Sequence, residues 1–136
     1  MMTNDLILAD TSVWIHFLRG SGLQYQERIV PLLMADKLVT TPIVIMEILR
    51  GAKSQRDYDK LSTDLAALRC FDLTVKVWER ANKLGYTLRH KGLNAPLTDT
   101  IIAAVAQEHN VRLLHDDRHF EMIATLSHLK HEFLSV

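Results

Sequence analysis

The sequence predicts an α/β fold, a three-layer α/β/α sandwich around a short, mainly parallel central sheet. Three observations carry this. Short apolar runs alternate along the chain with longer segments of helical periodicity. The short runs are continuous rather than alternating, as in strands covered on both faces. The apolar stretch Ile101-Ile102-Ala103-Ala104-Val105-Ala106 has the all-round hydrophobicity of a helix buried mid-fold.

Each element has its own reason. Residues 6–9 form an apolar run that ends abruptly at Asp10-Thr11-Ser12, which predicts a buried strand leading into a helix over 13–18, stopped by Gly20 and Gly22. Ile29, Leu32 and Leu33 share one side of a second helix over 23–35. Residues 38–40 read as a short strand. Thr41-Pro42 then opens a helix over 43–50, with Thr at the cap and Pro where its missing N–H costs nothing, and Gly51 closes it. Residues 54–68 carry Tyr58, Leu61, Leu65 and Leu68 at amphipathic helix spacing. Residues 70–73 are a strand candidate. A long helix over 75–90 has Val77, Ala81, Leu84 and Leu88 as its apolar stripe, and 93–96 is loop. Another helix covers 98–107. A strand over 111–114 runs into the polar turn His115-Asp116-Asp117-Arg118-His119, followed by a short helix over 120–126 and a last strand within 129–134.

Residues 1–136 are expected to form one domain, since a chain of that length supports one ordinary core. At 48% hydrophobic and 24% charged, disordered, collagenous and low-complexity classes are excluded. Sixteen basic residues balance sixteen acidic ones, so a partner held by bulk positive charge is excluded, and any polyanion needs a local basic strip or a metal ion. The lone Cys70 forms no internal bridge and reads as core. Without a run approaching a membrane span, and without a basic, apolar leader in Met1-Met2-Thr3-Asn4-Asp5, the expectation is a cytoplasmic protein with no membrane partner.

Ligands of parallel sheets sit outside the carboxyl ends of the strands. Asp10 follows the first predicted strand, and Asp116 and Asp117 follow the 111–114 strand, so all point at one sheet edge. Glu47 is the anomalous acid, surrounded by Ile43, Val44, Ile45, Met46, Ile48 and Leu49. It is either a compensated site carboxylate or a partly exposed partner of Arg50. Asp99 precedes the most apolar helix, and either it or Thr98 is a candidate cap. Asp10, Asp116 and Asp117 have the same double reading. Gathered in one cleft, such acids raise one another's pKa unless a hard divalent cation neutralises them, and magnesium or manganese suits oxygen ligands and phosphate. Calcium loops, P-loops and a Gly-x-Ser-x-Gly elbow are absent, and the His115/His119 spacing lacks the companions of a zinc site.

Four segments in order resemble one family. They are Leu8-Ala9-Asp10-Thr11-Ser12-Val13-Trp14-Ile15, the Glu47 segment from Pro42 to Gly51, Leu97-Thr98-Asp99-Thr100-Ile101-Ile102-Ala103-Ala104, and Leu113-Leu114-His115-Asp116-Asp117-Arg118-His119-Phe120. Together they resemble the PIN-domain ribonucleases over nearly the whole chain, and most of all the VapC toxins of toxin–antitoxin pairs. The resemblance implies a PIN-like sandwich and a magnesium- or manganese-dependent endoribonuclease cutting structured or transfer RNA, with Asp10, Glu47, Asp99 and Asp117 as catalytic acids. It also implies a cognate VapB-like antitoxin and a homodimer. Asp117 aligns as the fourth acid, with Asp116 the alternative. His119 stands where the family often has Asp, and His115 where a small hydroxyl residue is common.

On that reading Asp10, Asp99 and Asp117 hold one Mg2+ (or Mn2+), directly or through water, and Glu47 orients or deprotonates the attacking water. Thr11, Ser12, Asp116 and His119 are accessory candidates. Thr11 or Ser12 either bonds an acid or caps the first helix. The candidate RNA contacts are Lys76, Arg80 and Lys83 at i, i+4, i+7, with Arg50, Lys53 and Arg118; a solvated face is the rival reading. Two other classes compete: a PIN-type nuclease acting in RNA processing or on DNA flaps, and a non-catalytic binding module whose acids are caps.

Overall fold

The computed structural model describes residues 5–134; residues 1–4, read above for a targeting signal, lie outside them. The order is β1 (Ile7–Ala9), α1 (Thr11–Arg19), α2 (Leu23–Met34), β2 (Leu38–Thr40), α3 (Pro42–Arg50), α4 (Gln55–Ala66), β3 (Arg69–Cys70), α5 (Val75–His90), α6 (Leu97–Glu108), β4 (Arg112–His115), α7 (Arg118–Leu126) and β5 (His131–Phe133). The five strands form one parallel sheet in the order β3-β2-β1-β4-β5.

The central strands are the most apolar segments because both their faces are covered. Leu8, Ala9, Val39, Leu113 and Leu114 have no exposed surface, each leucine contributing roughly 1.5–3 kcal/mol by leaving water. Right-handed crossovers, the rule for parallel connections, place α1 to α4 over one face and α5 to α7 over the other. The packing fits this: α1 contacts α2 and α3, α3 contacts α4, and α6 contacts α5 and α7, while α3 also meets α6 and so joins the two layers. The stripe Val77, Ala81, Leu84 and Leu88 is buried as its spacing predicts.

The chain leaves β1 toward β2 and leaves β4 toward β5, on opposite sides. The β1/β4 boundary is therefore the topological switch point, where a crevice opens at the strands' carboxyl ends. Helices α1 and α7 begin here, directly after β1 and β4, and α6 carries Asp99 in its first turn.

Several expectations are corrected. The Thr41 hydroxyl does not cap α3 but donates to the Phe71 carbonyl at 2.8 Å, tying α3 to the β3 end. Gly51 ends α3 with an ordinary φ of −87°. The third strand is two residues long at the sheet edge rather than spanning 70–73, and Cys70 is exposed, not core. An edge strand has only one covered flank, which a run of apolar letters does not reveal. On α4 only Leu65 is buried, and Tyr58 is exposed. Helix α6 starts at Leu97 with Pro96 as its cap residue, so neither Thr98 nor Asp99 is the cap. Gly20 ends α1 at φ 65°, the left-handed turn that favours glycine.

Candidate active site

Asp10, Asp99 and Asp117 all stand at helix starts: Asp10 and Asp117 where β1 and β4 turn into α1 and α7, and Asp99 where the chain enters α6 from the loop after α5. Asp10 caps α1 and is 4% exposed; its Oδ2 accepts from Ser12 N at 3.1 Å and Ser12 Oγ at 2.7 Å. Asp117 caps α7, its Oδ1 accepting from His119 N at 2.9 Å. Asp99 lies in the first turn of α6. The positive ends of three helix dipoles thus face the acids and offset part of their mutual repulsion.

Glu47 reaches the group from inside α3. It is half-buried, and its Oε1 accepts a 2.7 Å hydrogen bond from Thr11 Oγ1, not an ion pair with Arg50, which is exposed. Thr11 and Ser12 therefore hold acids; the cap of α1 is Asp10 itself.

Asp99 feels the charge of the other three acids. Burial pushes the Asp99 carboxyl up to about 6, and the charges of Asp10, Asp117 and Glu47 push the same way, against His119. Burial also raises the Asp10 pKa, opposed by the hydrogen bonds from Ser12 and Thr11, with Glu47 adding a smaller upward push. Such a set is costly without a cation.

The tightest part of the group is Asp99, Asp117 and His119, whose ligand atoms lie within 4.8 Å of one another; Asp10 and Glu47 stand outside this trio. His119 Nδ1 is 3.3 Å from Asp99 Oδ2 and 3.2 Å from Asp117 Oδ1; the side chain is 46% exposed, but this one nitrogen is shielded from solvent and is aligned for a hydrogen bond with neither carboxylate. A small cation fits this donor set of two carboxylates and one imidazole nitrogen, since it would satisfy the orphaned Nδ1 and both oxygens. The sequence reading placed Asp10 in the trio's position and kept His119 as an accessory.

Asp116 points elsewhere. Its Oδ2 accepts from the Tyr25 hydroxyl and lies 3.2 Å from His16 Nε2, while its N–H donates to Ser12 Oγ at 3.0 Å. His16 stacks on Tyr25 with ring centroids 4.7 Å apart. Burial, then the Asp116 bond and charge, push the Tyr25 hydroxyl up to about 12. Asp117, not Asp116, is the acid that joins Asp99. One chain of bonds therefore runs from Tyr25 through Asp116 and Ser12 to Asp10.

His115 is not a turn residue. It ends β4 with no exposed surface, and burial drives its pKa down to about 4, with His131 pushing the same way. Its Nδ1 accepts from Asp117 N at 3.3 Å and its Nε2 lies 3.0 Å from His131 Nδ1. The neutral ring therefore carries its hydrogen on Nε2 and supports the Asp117 backbone from below. Tyr25, His16 and His131 were missed by sequence reasoning because their partners lie far away along the chain.

Of the basic candidates, Arg118 is exposed and adjacent to Asp117, and Arg50 and Lys53 are exposed just beyond the Glu47 helix. Lys76, Arg80 and Lys83 lie on α5, where Arg80 pairs with Glu108 at the far end of α6 from Asp99. Among the described residues no helix is long and apolar enough to cross a membrane.

The sequence profile of the PIN domain matches residues 7–126. Ribonuclease VapC11 of Mycobacterium tuberculosis is 28% identical over 135 residues, covering 92% of this chain and 96% of its own. Ribonuclease VapC21 of the same species is 32% identical over 105 residues, covering 75% and 76%. The structure is also similar to that of VapBC2 from Rickettsia felis bound to a DNA fragment from its promoter, with a TM-score of 0.81, 21% identity, and 96% and 99% of the two chains covered.

Proposed function

Because the chain belongs to the PIN-domain family, we propose that it is a divalent-metal-dependent endoribonuclease acting as the toxin of a toxin–antitoxin pair. Asp10, Glu47, Asp99 and Asp117 are its catalytic acids. The observation that carries this reading is Asp99, a carboxylate that burial and three neighbouring acids hold at about 6 beside a buried, unpartnered His119 nitrogen. Helix caps scattered over a binding module would not converge in this way. Relatives named ribonucleases and a VapBC complex as structural neighbour support the substrate class and a VapB-like antitoxin partner.

Asp99, Asp117 and His119 would hold the Mg2+ or Mn2+ ion, with Asp10 close enough to act on it through its charge or through water. When bound, such an ion lowers the pKa of its water and offsets charge building on phosphoryl oxygens. Glu47 is the residue that holds and accepts the proton of the attacking water. The Thr11 hydroxyl occupies Oε1 and fixes the plane of the carboxylate, leaving Oε2 for that task. Ser12 fixes Asp10 in the same manner. Arg118, exposed and next to Asp117 in the chain, is the basic side chain this reading gives to a neighbouring phosphate. The same reading assigns a cytoplasmic homodimer, whose mass light scattering reads directly.

The test is cleavage of total cellular RNA in Mg2+ and in Mn2+ against EDTA, with cut-site mapping. Cleavage is expected with metal only, and Asp99→Asn and Glu47→Gln are expected to lower it at least about 10²-fold while remaining folded. Undiminished cutting by both variants, or none by the native chain in either metal, would overturn the proposal.

A further inference from the structure

A polyanion is repelled by an acidic cleft, and a chain of formal net charge +0 offers no overall attraction to compensate. On the ribonuclease reading, affinity for RNA must therefore be concentrated somewhere other than the acids. An open groove of about 890 Å³ lies across α5, the C-terminal half of α6 and the α7–β5 connection. It is lined by Lys76, Arg80, Lys83, Lys91 and Lys130, five of the chain's sixteen basic residues. Only two acids join them, Glu79 and Glu108, and Glu108 is held by Arg80 at 3.0 Å.

Lys76, Arg80, Lys83, Thr87 and Lys91 recur at i, i+4, i+7, i+11 and i+15, so they form one stripe beside the buried stripe of α5. The stripe is about 22 Å long at the helical rise. Gln107, Asn110, Ser127 and His128 add further polar groups, over a floor of Leu84, Ala106, Val111 and Leu126. No Trp, Tyr, Phe or Met lines it, whereas the centre of a protein–protein interface is rich in those residues and poor in lysine. A second groove, of about 450 Å³ on the other side of α5, has that character, with Trp78, Tyr86 and Leu97. The basic groove suits a phosphate backbone instead.

We propose that this groove is a phosphate-backbone site for the body of a structured RNA, separate from the site of cleavage. The inference rests on the ribonuclease reading. Helix α6 connects the two places: Asp99 sits in its first turn and Glu108 ends it, about 13 Å apart at the helical rise. A long or folded RNA reaches both; a short oligoribonucleotide at the acids does not.

The test uses the full chain with cleavage silenced by Asp99→Asn. Labelled unfractionated transfer RNA is titrated by fluorescence anisotropy at several salt concentrations, with and without Lys76→Gln, Lys83→Gln and Lys130→Gln combined. Each lost phosphate contact flattens the log–log salt dependence by about 0.7 to 0.9, so the triple variant is expected to lose about two to three units of slope and about tenfold in affinity. In the cleavage-competent chain the loss falls on KM for transfer RNA rather than on kcat, and the preference for transfer RNA over a short oligoribonucleotide narrows. Lys83→Glu and Lys130→Glu, each a single exposed side chain, keep the test decisive should the triple variant fail to fold. Equal slopes and affinities overturn the groove while leaving cleavage, read on the short oligoribonucleotide, untouched. Lost binding to polyglutamate with RNA binding intact also overturns it, in favour of an acidic protein. A native chain that cuts no RNA in either metal overturns the ribonuclease reading instead.

Discussion

The Tyr25 hydroxyl hydrogen-bonds to Asp116 across 91 residues of sequence. That bond, with His16 3.2 Å away on the same oxygen, turns Asp116 toward α1 and α2 and leaves Asp117 to face Asp99 and His119. Which of the two adjacent acids stands beside Asp99 thus goes with a contact made by a residue on a different helix.

Tyr25→Phe keeps the ring stacked on His16 and removes the bond. The fully buried ring leaves Asp116 with one fewer donor, at an expected cost of about 1–3 kcal/mol. A fall in the urea midpoint at unchanged m-value measures it. Catalysis should fall less than in Asp99→Asn, since Asp116 reaches Asp10 only through Ser12.

The raised Asp99 pKa gives a signed pH dependence without metal. Its folded value is about 6, against 3.8 for an ordinary aspartate in water. The folded state holds the proton more tightly, so this stabilisation is full below about pH 4 and is lost as pH rises through about 6. In EDTA, Asp99→Asn should become more stable than the native chain above about pH 6, by up to about 3 kcal/mol. Chemical unfolding across that window reads the gap.

His115 works in the opposite sense. Its folded pKa is about 4 against 6.5, so its contribution is present above about pH 6.5 and is lost as pH falls toward about 4. The native chain should show a flattened profile where the two slopes overlap. In His115→Gln the acid-side loss should shrink, while stability at neutral pH also drops because the packing and the acceptor for Asp117 N–H are disturbed.

Manganese should raise the melting temperature of the native chain. An ion at about a hundred times its Kd contributes about 2.7 kcal/mol. Asp117→Asn should abolish most of the gain, as should Asp99→Asn, whereas Asp116→Asn should retain it. Calorimetric titration of the ion checks the same order.

Glu47→Gln preserves an acceptor for Thr11 Oγ1 and removes the proton acceptor. Folding should be retained and the cleavage rate should fall about 10²- to 10⁴-fold, the usual range for a general base. Single-turnover kinetics separate this from a binding defect.

Much of this was legible in the sequence because burial and chemistry coincide there. The runs at β1, β2 and β4 are apolar enough to mark central strands, and acids placed at their ends fall on one sheet edge. Glu47 stood out because six apolar neighbours leave a carboxylate little solvent. What stayed hidden depends on distant partners. Nothing near Asp116 in sequence says that Tyr25 turns it aside, and nothing near His115 says that His131 meets it. Cys70 misled because an edge strand and a central one share the same local letters. The stripe from Lys76 to Lys83 was legible as a stripe, but its distance from Asp99 is set by the antiparallel packing of α5 on α6.

The late position of β4 has a further consequence for the cell that makes this chain. The strand enters between β1 and β5 and brings Asp117 with it. Until the ribosome has delivered that segment, Asp10, Glu47 and Asp99 have nothing to close against. On the toxin reading proposed above, a nascent chain that lacks this segment lacks Asp117 and His119 and so holds no complete acidic site.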